Sequence, residues 1–164
     1  MTANDKTGVG AGSGEWRTPP DLFARLNRRF RFDYDAFASH ENTLLPCYST
    51  TEGTFGPGNL GVNGGDGLTH DWYSERVFMN PPYSRGLIEQ CVEKAYNERN
   101  DAAIIVALLP AATETRWFQQ YILPYCHIDW LPKRVRFIDP VTLQAGGSPP
   151  SGMVIAMFKT ELMP

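Results

Sequence analysis

The chain has no apolar run long enough to cross a bilayer, and its first residues lack the hydrophobic core of a signal peptide. Cytoplasmic residence without a membrane anchor is the expectation that follows. Cysteine is scarce: Cys47, Cys91 and Cys126 are odd in number, widely separated and contain no CxxC pair. That pattern argues against a disulfide framework and for reduced thiols, with Cys91 packing a helix face. His40, His70 and His127 are equally scattered, so no metal site is expected. Positive charge is not in excess either. The net charge is −3 and the pI near 5.6, which weighs mildly against nucleic-acid binding. Local patches matter more than the total, because they make the phosphate contacts. Two patches exist, one carrying Arg25, Arg28, Arg29 and Arg31, the other Lys133, Arg134 and Arg136. Each alone reads as ordinary solvated charge.

What is present suits one globular domain with a proper core: 164 residues, of which 42% are hydrophobic and 12% aromatic. Residues 1–14 are rich in Gly, Ser, Thr and Asn and read as a flexible tail, leaving 15–164 as a single domain. Thr18-Pro19-Pro20-Asp21 opens a helix: Thr18 is the expected cap, proline suits the first turn, and Asp21 complements the dipole. Leu22, Phe23, Leu26 and Phe30 recur at helical spacing, so this helix lies on the core. Phe32 to Ser39 reads as a strand running into a turn of small residues. Residues 49–67 are Gly- and Thr-rich and read as a loop, since neither a strand nor a helix flanks them as a dinucleotide fingerprint requires.

Leu68 to Trp72 reads as a short strand and Arg76 to Met79 as another. Ser84 is the expected cap of a helix over 85–99, with Leu87, Ile88, Cys91, Val92 and Ala95 on one face. Ala102 to Leu109 is a continuous apolar run, the mark of a central parallel strand. A helix over Thr113–Tyr121 and strands at Ile128–Leu131 and Met153–Phe158 complete the pattern, with a Gly/Pro-rich loop at about 139–151. Strands alternating with helices predict an α/β fold with a mostly parallel sheet and helices on both faces.

The chemistry concentrates in Asn80-Pro81-Pro82-Tyr83, directly after the apolar run Val77-Phe78-Met79. Two prolines stop a strand, because proline cannot donate to the ladder. An amide, two rigid rings and an aromatic face are thereby presented at a strand's carboxyl end, where open α/β sheets bind ligands. The Asn80 side-chain oxygen and the Pro81 carbonyl can accept the two hydrogens of an exocyclic amine, and Tyr83 can stack on the ring bearing it. Engaging both hydrogens in hydrogen bonds draws the nitrogen toward tetrahedral geometry and frees its lone pair to attack a methyl group. Asp35 ends an earlier strand and is followed by Ala36, Ala38 and Ser39, small enough for a ligand to approach the backbone. Asp71-Trp72 offers a second acid beside an aromatic wall. Such acids can accept from ribose hydroxyls or from a cofactor's amino group.

With these blocks in this order, the chain resembles the small phage-type DNA N6-adenine methyltransferases, Dam-like proteins with an NPPY motif, over roughly Trp16 to Phe158. The blocks are Glu15-Trp16-Arg17-Thr18-Pro19-Pro20, Asp35-Ala36-Phe37-Ala38-Ser39, Asp71-Trp72, Asn80 to Gly86, Leu108-Leu109-Pro110-Ala111 and Thr115-Arg116-Trp117-Phe118. The resemblance implies a Rossmann-like methyltransferase fold using S-adenosylmethionine, acting on double-stranded DNA. It implies that Asn80, Pro81, Pro82 and Tyr83 form the catalytic loop. It also implies that Trp16, Thr18, Pro19, Asp35, Ala36, Ser39, Asp71 and Trp72 hold the cofactor, with Asp66 as the alternative alignment to Asp71. Arg85, Arg116 and Lys133 are the expected DNA contacts. The chain departs from broader methyltransferases in having alanine and serine where they carry a glycine-rich turn. Rival readings are methylation of cytosine N4, an RNA base or a protein amide, or a nucleic-acid-binding module without catalysis. Asparagine at the first motif position favours adenine over cytosine N4. Oligomeric state and recognition sequence are not legible.

Overall fold

The computed structural model describes residues 16–39, 41–49, 67–73 and 75–158. The expected tail, His40, Asp66 and nearly all of the 49–67 loop lie outside the described residues.

The first helix, α1 (Pro20–Phe30), has proline at its first position and Asp21 in its first turn. Pro19, not Thr18, occupies the cap, and no side chain bonds to the helix start. The Thr18 hydroxyl is engaged elsewhere, as described below. Six strands follow: β1 (Tyr34–Asp35), β2 (Cys47–Tyr48), β3 (Arg76–Met79), β4 (Ile104–Pro110), β5 (Cys126–Trp130) and β6 (Met153–Phe158). They form one sheet in the order β2-β1-β3-β4-β6-β5. The pairs β1–β2, β1–β3 and β3–β4 are parallel, while β6 runs antiparallel to both β4 and β5. The sheet is therefore mixed: β6 alone opposes the other five strands.

Strand residues alternate between two cores because successive side chains point to opposite faces. Val77 and Met79, Ile105, Ala107 and Leu109, and Val154, Ala156 and Phe158 pack with Ile88, Cys91, Val92 and Ala95 of helix α2 (Leu87–Glu98). Phe78, Val106 and Leu108, and Met153, Ile155 and Met157 pack instead with Leu22, Phe23, Leu26 and Phe30 of α1. Helices thus cover both faces, as expected, and Cys91 lies on the buried face of α2.

Several local expectations fail for identifiable reasons. The strand expected to run from Phe32 into a turn of small residues does turn, at Ala36 and Phe37, but only Tyr34 and Asp35 pair in the sheet. Leu68 to Trp72 forms turns rather than a strand. The Trp72 backbone N–H donates to the Glu98 carboxylate, a side chain, instead of to a ladder partner. Ser84 does not cap α2; Gly86 does, at a φ of 85° that favours glycine. The segment after β4 ends in a π-helix, Phe118–Ile122, in which Leu123 N–H reaches back to the Phe118 carbonyl. Strand β2 was not anticipated, being two residues set in turn-forming sequence. Among the described residues, no helix is long and apolar enough to cross a membrane, and no group of three or more His, Cys, Asp or Glu side chains could hold a metal. Cys47, Cys91 and Cys126 are free thiols.

Candidate active site

Strands β1 and β3 are parallel neighbours, with Asp35 opposite Phe78. Their carboxyl ends therefore emerge side by side, and Asp35 and Asn80 line one crevice there. The segment before α1 closes it, contributing Trp16, Arg17 and Thr18, while Ala38, Asn42 and Leu44 come from the turn after β1. The crevice is narrow, with a volume of about 30 Å³.

Asn80 is fixed by three hydrogen bonds. Its Nδ2 donates to the Trp16 carbonyl at 2.8 Å and to Thr18 Oγ1 at 3.0 Å. Its Oδ1 accepts from the Tyr83 hydroxyl at 2.6 Å. Both amide hydrogens face acceptors and the oxygen faces a donor, so the amide has one sensible orientation. The proline pair is buried, and no donor among the described residues takes the Pro81 carbonyl.

Tyr83 is less open than its expected stacking part requires. Its hydroxyl lies between Asn80 Oδ1 and the Leu108 carbonyl, 3.1 Å away, and its ring meets Phe137 edge-on at 6.0 Å. Burial pushes this phenol well above its ordinary range, so it remains a neutral donor. As placed, Tyr83 orients Asn80.

Asp35 is the electrostatic anomaly of the crevice. It is buried, and its one described partner is the Leu44 N–H at a long 3.3 Å. Burial drives its carboxyl up to about 7, and the Leu44 bond only partly offsets this. Arg17 lines the same crevice, and its buried Nε has no partner among the described residues. A carboxyl and a guanidinium, each short of partners, thus face one space. Gly67 packs against the turn after β1 so closely that a Cβ there would lie 1.9 Å from the Ala36 carbonyl. Only glycine fits.

The remaining expected residues are dispersed. Ala36 is fully buried and Ser39 sits in a loop whose N–H is held by Asn42 Oδ1. Neither lines the crevice, nor does Pro19. Trp72 is fully buried, meeting the crevice-lining Phe37 edge-on at 5.9 Å and stacking under Lys94. Asp71 is exposed and caps its own turn through Tyr73 N–H. The pair therefore does not end a strand, and it reaches the crevice only through Phe37. Arg85 and Arg116 are exposed and outside the crevice, and Lys133 lines a separate groove. Sequence reasoning missed Arg17, Phe37, Asn42 and Leu44 as lining residues. Arg17 and Phe37 lay inside blocks already singled out, so only their roles were overlooked.

A family model described as DNA N-6-adenine-methyltransferase (Dam) matches residues 9–164. The chain belongs to the Dam family. A DNA N-6-adenine-methyltransferase of Escherichia phage T1 is 32% identical over 119 residues, which cover 71% of this chain and 44% of the phage protein. This Dam-family chain thus spans less than half the length of the curated relative it matches.

Proposed function

We propose that this chain, as a single methyltransferase domain over 15–164, transfers a methyl group from S-adenosylmethionine to N6 of adenine in double-stranded DNA. Its sheet then serves as a Rossmann-like methyltransferase platform in the cytoplasm of a bacterial or phage-infected cell. The observation that carries this reading is the meeting of Asn80-Pro81-Pro82-Tyr83 with a buried, underbonded Asp35 at adjacent strand ends. The names of the family and of the T1 relative support the same activity.

The residues suit the cofactor's amino-acid end. Asp35 would accept from an ammonium or hydroxyl, and Arg17 Nε would donate to a carboxylate, giving each the partner it lacks. Thr18 and Trp16 would cover this end, with Pro19 behind them. Ala36 and Ser39, which do not line the crevice, would shape the turn after β1 without touching the cofactor, and Trp72 with Asp71 would back the adenine side through Phe37. When bound, S-adenosylmethionine would supply an electrophilic methyl group on a sulfonium, whose C–S bond breaks to release a neutral thioether.

The protein's task is then to present the nucleophile. A target adenine inside a duplex must be flipped out at a cost of a few kcal/mol. Asn80 Oδ1 still has a second lone pair after accepting from Tyr83, and the Pro81 carbonyl is free to accept. Together they would accept hydrogen bonds from both hydrogens of the adenine amine and localise the nitrogen lone pair; once that nitrogen carries the methyl group, one of the two hydrogens would leave as a proton to solvent. Fixed acceptors of this kind need no reorganisation as charge develops, which is the main source of such catalysis. Pro82 stiffens the loop, and Tyr83 holds the Asn80 oxygen in place while offering what ring face the flipped base can reach. Arg85 and Arg116 are candidate phosphate contacts.

The test is incubation of the protein with isotope-labelled S-adenosylmethionine and unmethylated plasmid, followed by nucleoside mass spectrometry. Labelled N6-methyladenine is the expected product. Label on cytosine N4, on RNA or on a protein amide would reassign the substrate. No transfer, with no heat on titrating the cofactor, would leave a non-catalytic binding module.

A further inference from the structure

Two basic stretches that look unremarkable in the sequence come together in the fold. Arg25, on the second turn of α1, faces Lys133, Arg134 and Arg136 across a groove of about 470 Å³. All four cations are exposed. None has a carboxylate within ion-pair distance among the described residues, whereas Arg29 and Lys94 do have such partners. One acid, Asp21, lines the groove, and its place in the first turn of α1 is explained by the helix dipole. Arg134 Nη1 also donates to the Pro149 carbonyl at 2.9 Å, which holds the guanidinium at the groove without neutralising it. Leu22 and Val135 form a buried apolar floor, so the charges stand on a rigid base.

Four unneutralised cations in one groove are not a by-product of a basic protein, since the net charge is −3. They sit on exposed, separated side chains with no buried donor among them. That suits a repeating phosphodiester chain better than a single phosphate, which needs convergent donors. The position is informative too. Thr18 lines the crevice and Pro19, the next residue, lines the groove. The two cavities therefore share the segment that leads into α1.

We propose that this groove is the track for the phosphodiester backbone of the DNA strand whose adenine enters the crevice, gripped by Arg25, Lys133, Arg134 and Arg136. This rests on the DNA-methyltransferase reading above. It extends the expected contact at Lys133 to a four-cation site spanning two elements.

The test measures binding of a fluorescent DNA duplex by anisotropy from about 50 to 200 mM salt, where phosphate contacts dominate the salt dependence. Each lost contact should lower the slope of log K against log salt by about 0.9. The triple variant Lys133→Ala/Arg134→Ala/Arg136→Ala should lose roughly 2–3 in slope and at least about tenfold in affinity at the lowest salt. Its cofactor affinity and melting temperature should hold. Arg25→Ala should lower the slope by about one contact, while Arg28→Ala, the same charge on α1 outside the groove, should change it little. Methylation and DNA binding by the unaltered protein, with unchanged slope in the triple variant, would overturn the groove alone. Equal losses from Arg25→Ala and Arg28→Ala would overturn it as well, leaving diffuse charge attraction. Failure of the unaltered protein to bind or methylate any DNA would instead strike the underlying reading.

Discussion

The two ends of the sheet are built on different terms. Toward the crevice, β1 and β2 are two residues long and β3 four. Side chains make up for the short ladders: Tyr34 donates to Ser49 Oγ, Asp35 accepts from Leu44, and Arg76 Nε donates to the Phe30 carbonyl. Away from the crevice, β4, β6 and β5 run seven, six and five residues. Val154, Ala156 and Phe158 feed one core, and Met153, Ile155 and Met157 the other. Short strands release their carboxyl ends to carry polar groups into a cavity, and the long strands supply the cooperative stability that makes this tolerable. The division predicts that substitutions at the two ends separate activity from stability.

The largest effect should come from the crevice end. Asn80→Ala removes the acceptor proposed for the adenine amine, and with it the anchor to Trp16 and Thr18. Loss of one preorganised polar group typically lowers turnover by about 10² to 10³. On the proposed reading, cofactor affinity should change less than about tenfold, because the loss falls on the amine contact and not on Asp35 and Arg17, the residues proposed to hold the cofactor. Single-turnover methylation beside calorimetric titration separates the two. Equal falls in both would make Asn80 a strut of the crevice rather than a partner of the reacting base.

At the opposite end, Ile155→Ala should do the reverse. Ile155 is almost fully buried in β6 and packs in the α1-side core. Truncation there costs about 2–5 kcal/mol through lost transfer energy plus the cavity left behind. Denaturant unfolding should show that loss, and the rate per folded molecule should stay near that of the unaltered protein. A matching fall in rate would mean that the two ends are mechanically coupled, and the comparison would break.

Asp35 sharpens the contrast because it should be a cost to stability. Its folded value of about 7 lies above the ordinary 3.8. The unfolded chain therefore loses this proton first, and between roughly pH 4 and 7 stability falls as pH rises. At pH 8 Asp35→Asn removes the buried charge yet can still accept from Leu44. It should gain stability on the order of 2 kcal/mol, each unit of pKa rise being worth about 1.4 at most. The same variant should bind S-adenosylmethionine more weakly. In the unaltered protein cofactor affinity should climb with pH toward 7 and then level off, whereas in the variant it should be flat. Melting curves and titrations at several pH values measure both, and a destabilised Asn variant would contradict the account.

Much of this layout was legible because strands betray themselves by apolar runs. Arg76–Met79 and Met153–Phe158 stand in the fold where the sequence placed them, and the residues that end β1 and β3 became the crevice. What could not be read depends on distant partners. Asn80 bonds to Trp16 and Thr18, 64 and 62 residues away, so no local pattern reveals that Thr18 is a site residue rather than a cap. Trp72 looks like a strand residue, but Phe37, Lys94 and Glu98 hold it in a turn. The direction of β6 was hidden as well, because a buried strand reads the same in parallel and antiparallel pairings. Arg25 and Lys133 seemed ordinary for a similar reason: their meaning lies in facing each other across one groove.

The smallest effect belongs to Tyr83→Phe, which asks how much of the crevice end depends on one hydroxyl. The ring and its edge-on contact with Phe137 survive, and only the proton shared between Asn80 Oδ1 and the Leu108 carbonyl is lost. A neutral buried hydrogen bond is worth about 1 kcal/mol net, so the melting temperature should fall by only a few degrees. Turnover should fall by about tenfold or less, because Nδ2 still holds the amide to Trp16 and Thr18 and, on the proposed reading, the freed Oδ1 can still accept from the adenine amine. A loss as deep as that of Asn80→Ala would show that the hydroxyl, and not the amide, sets the acceptor's position. The polar frame at the short-strand end would then have no redundancy, in contrast to β4 and β6, whose mostly buried residues have a strand on either side.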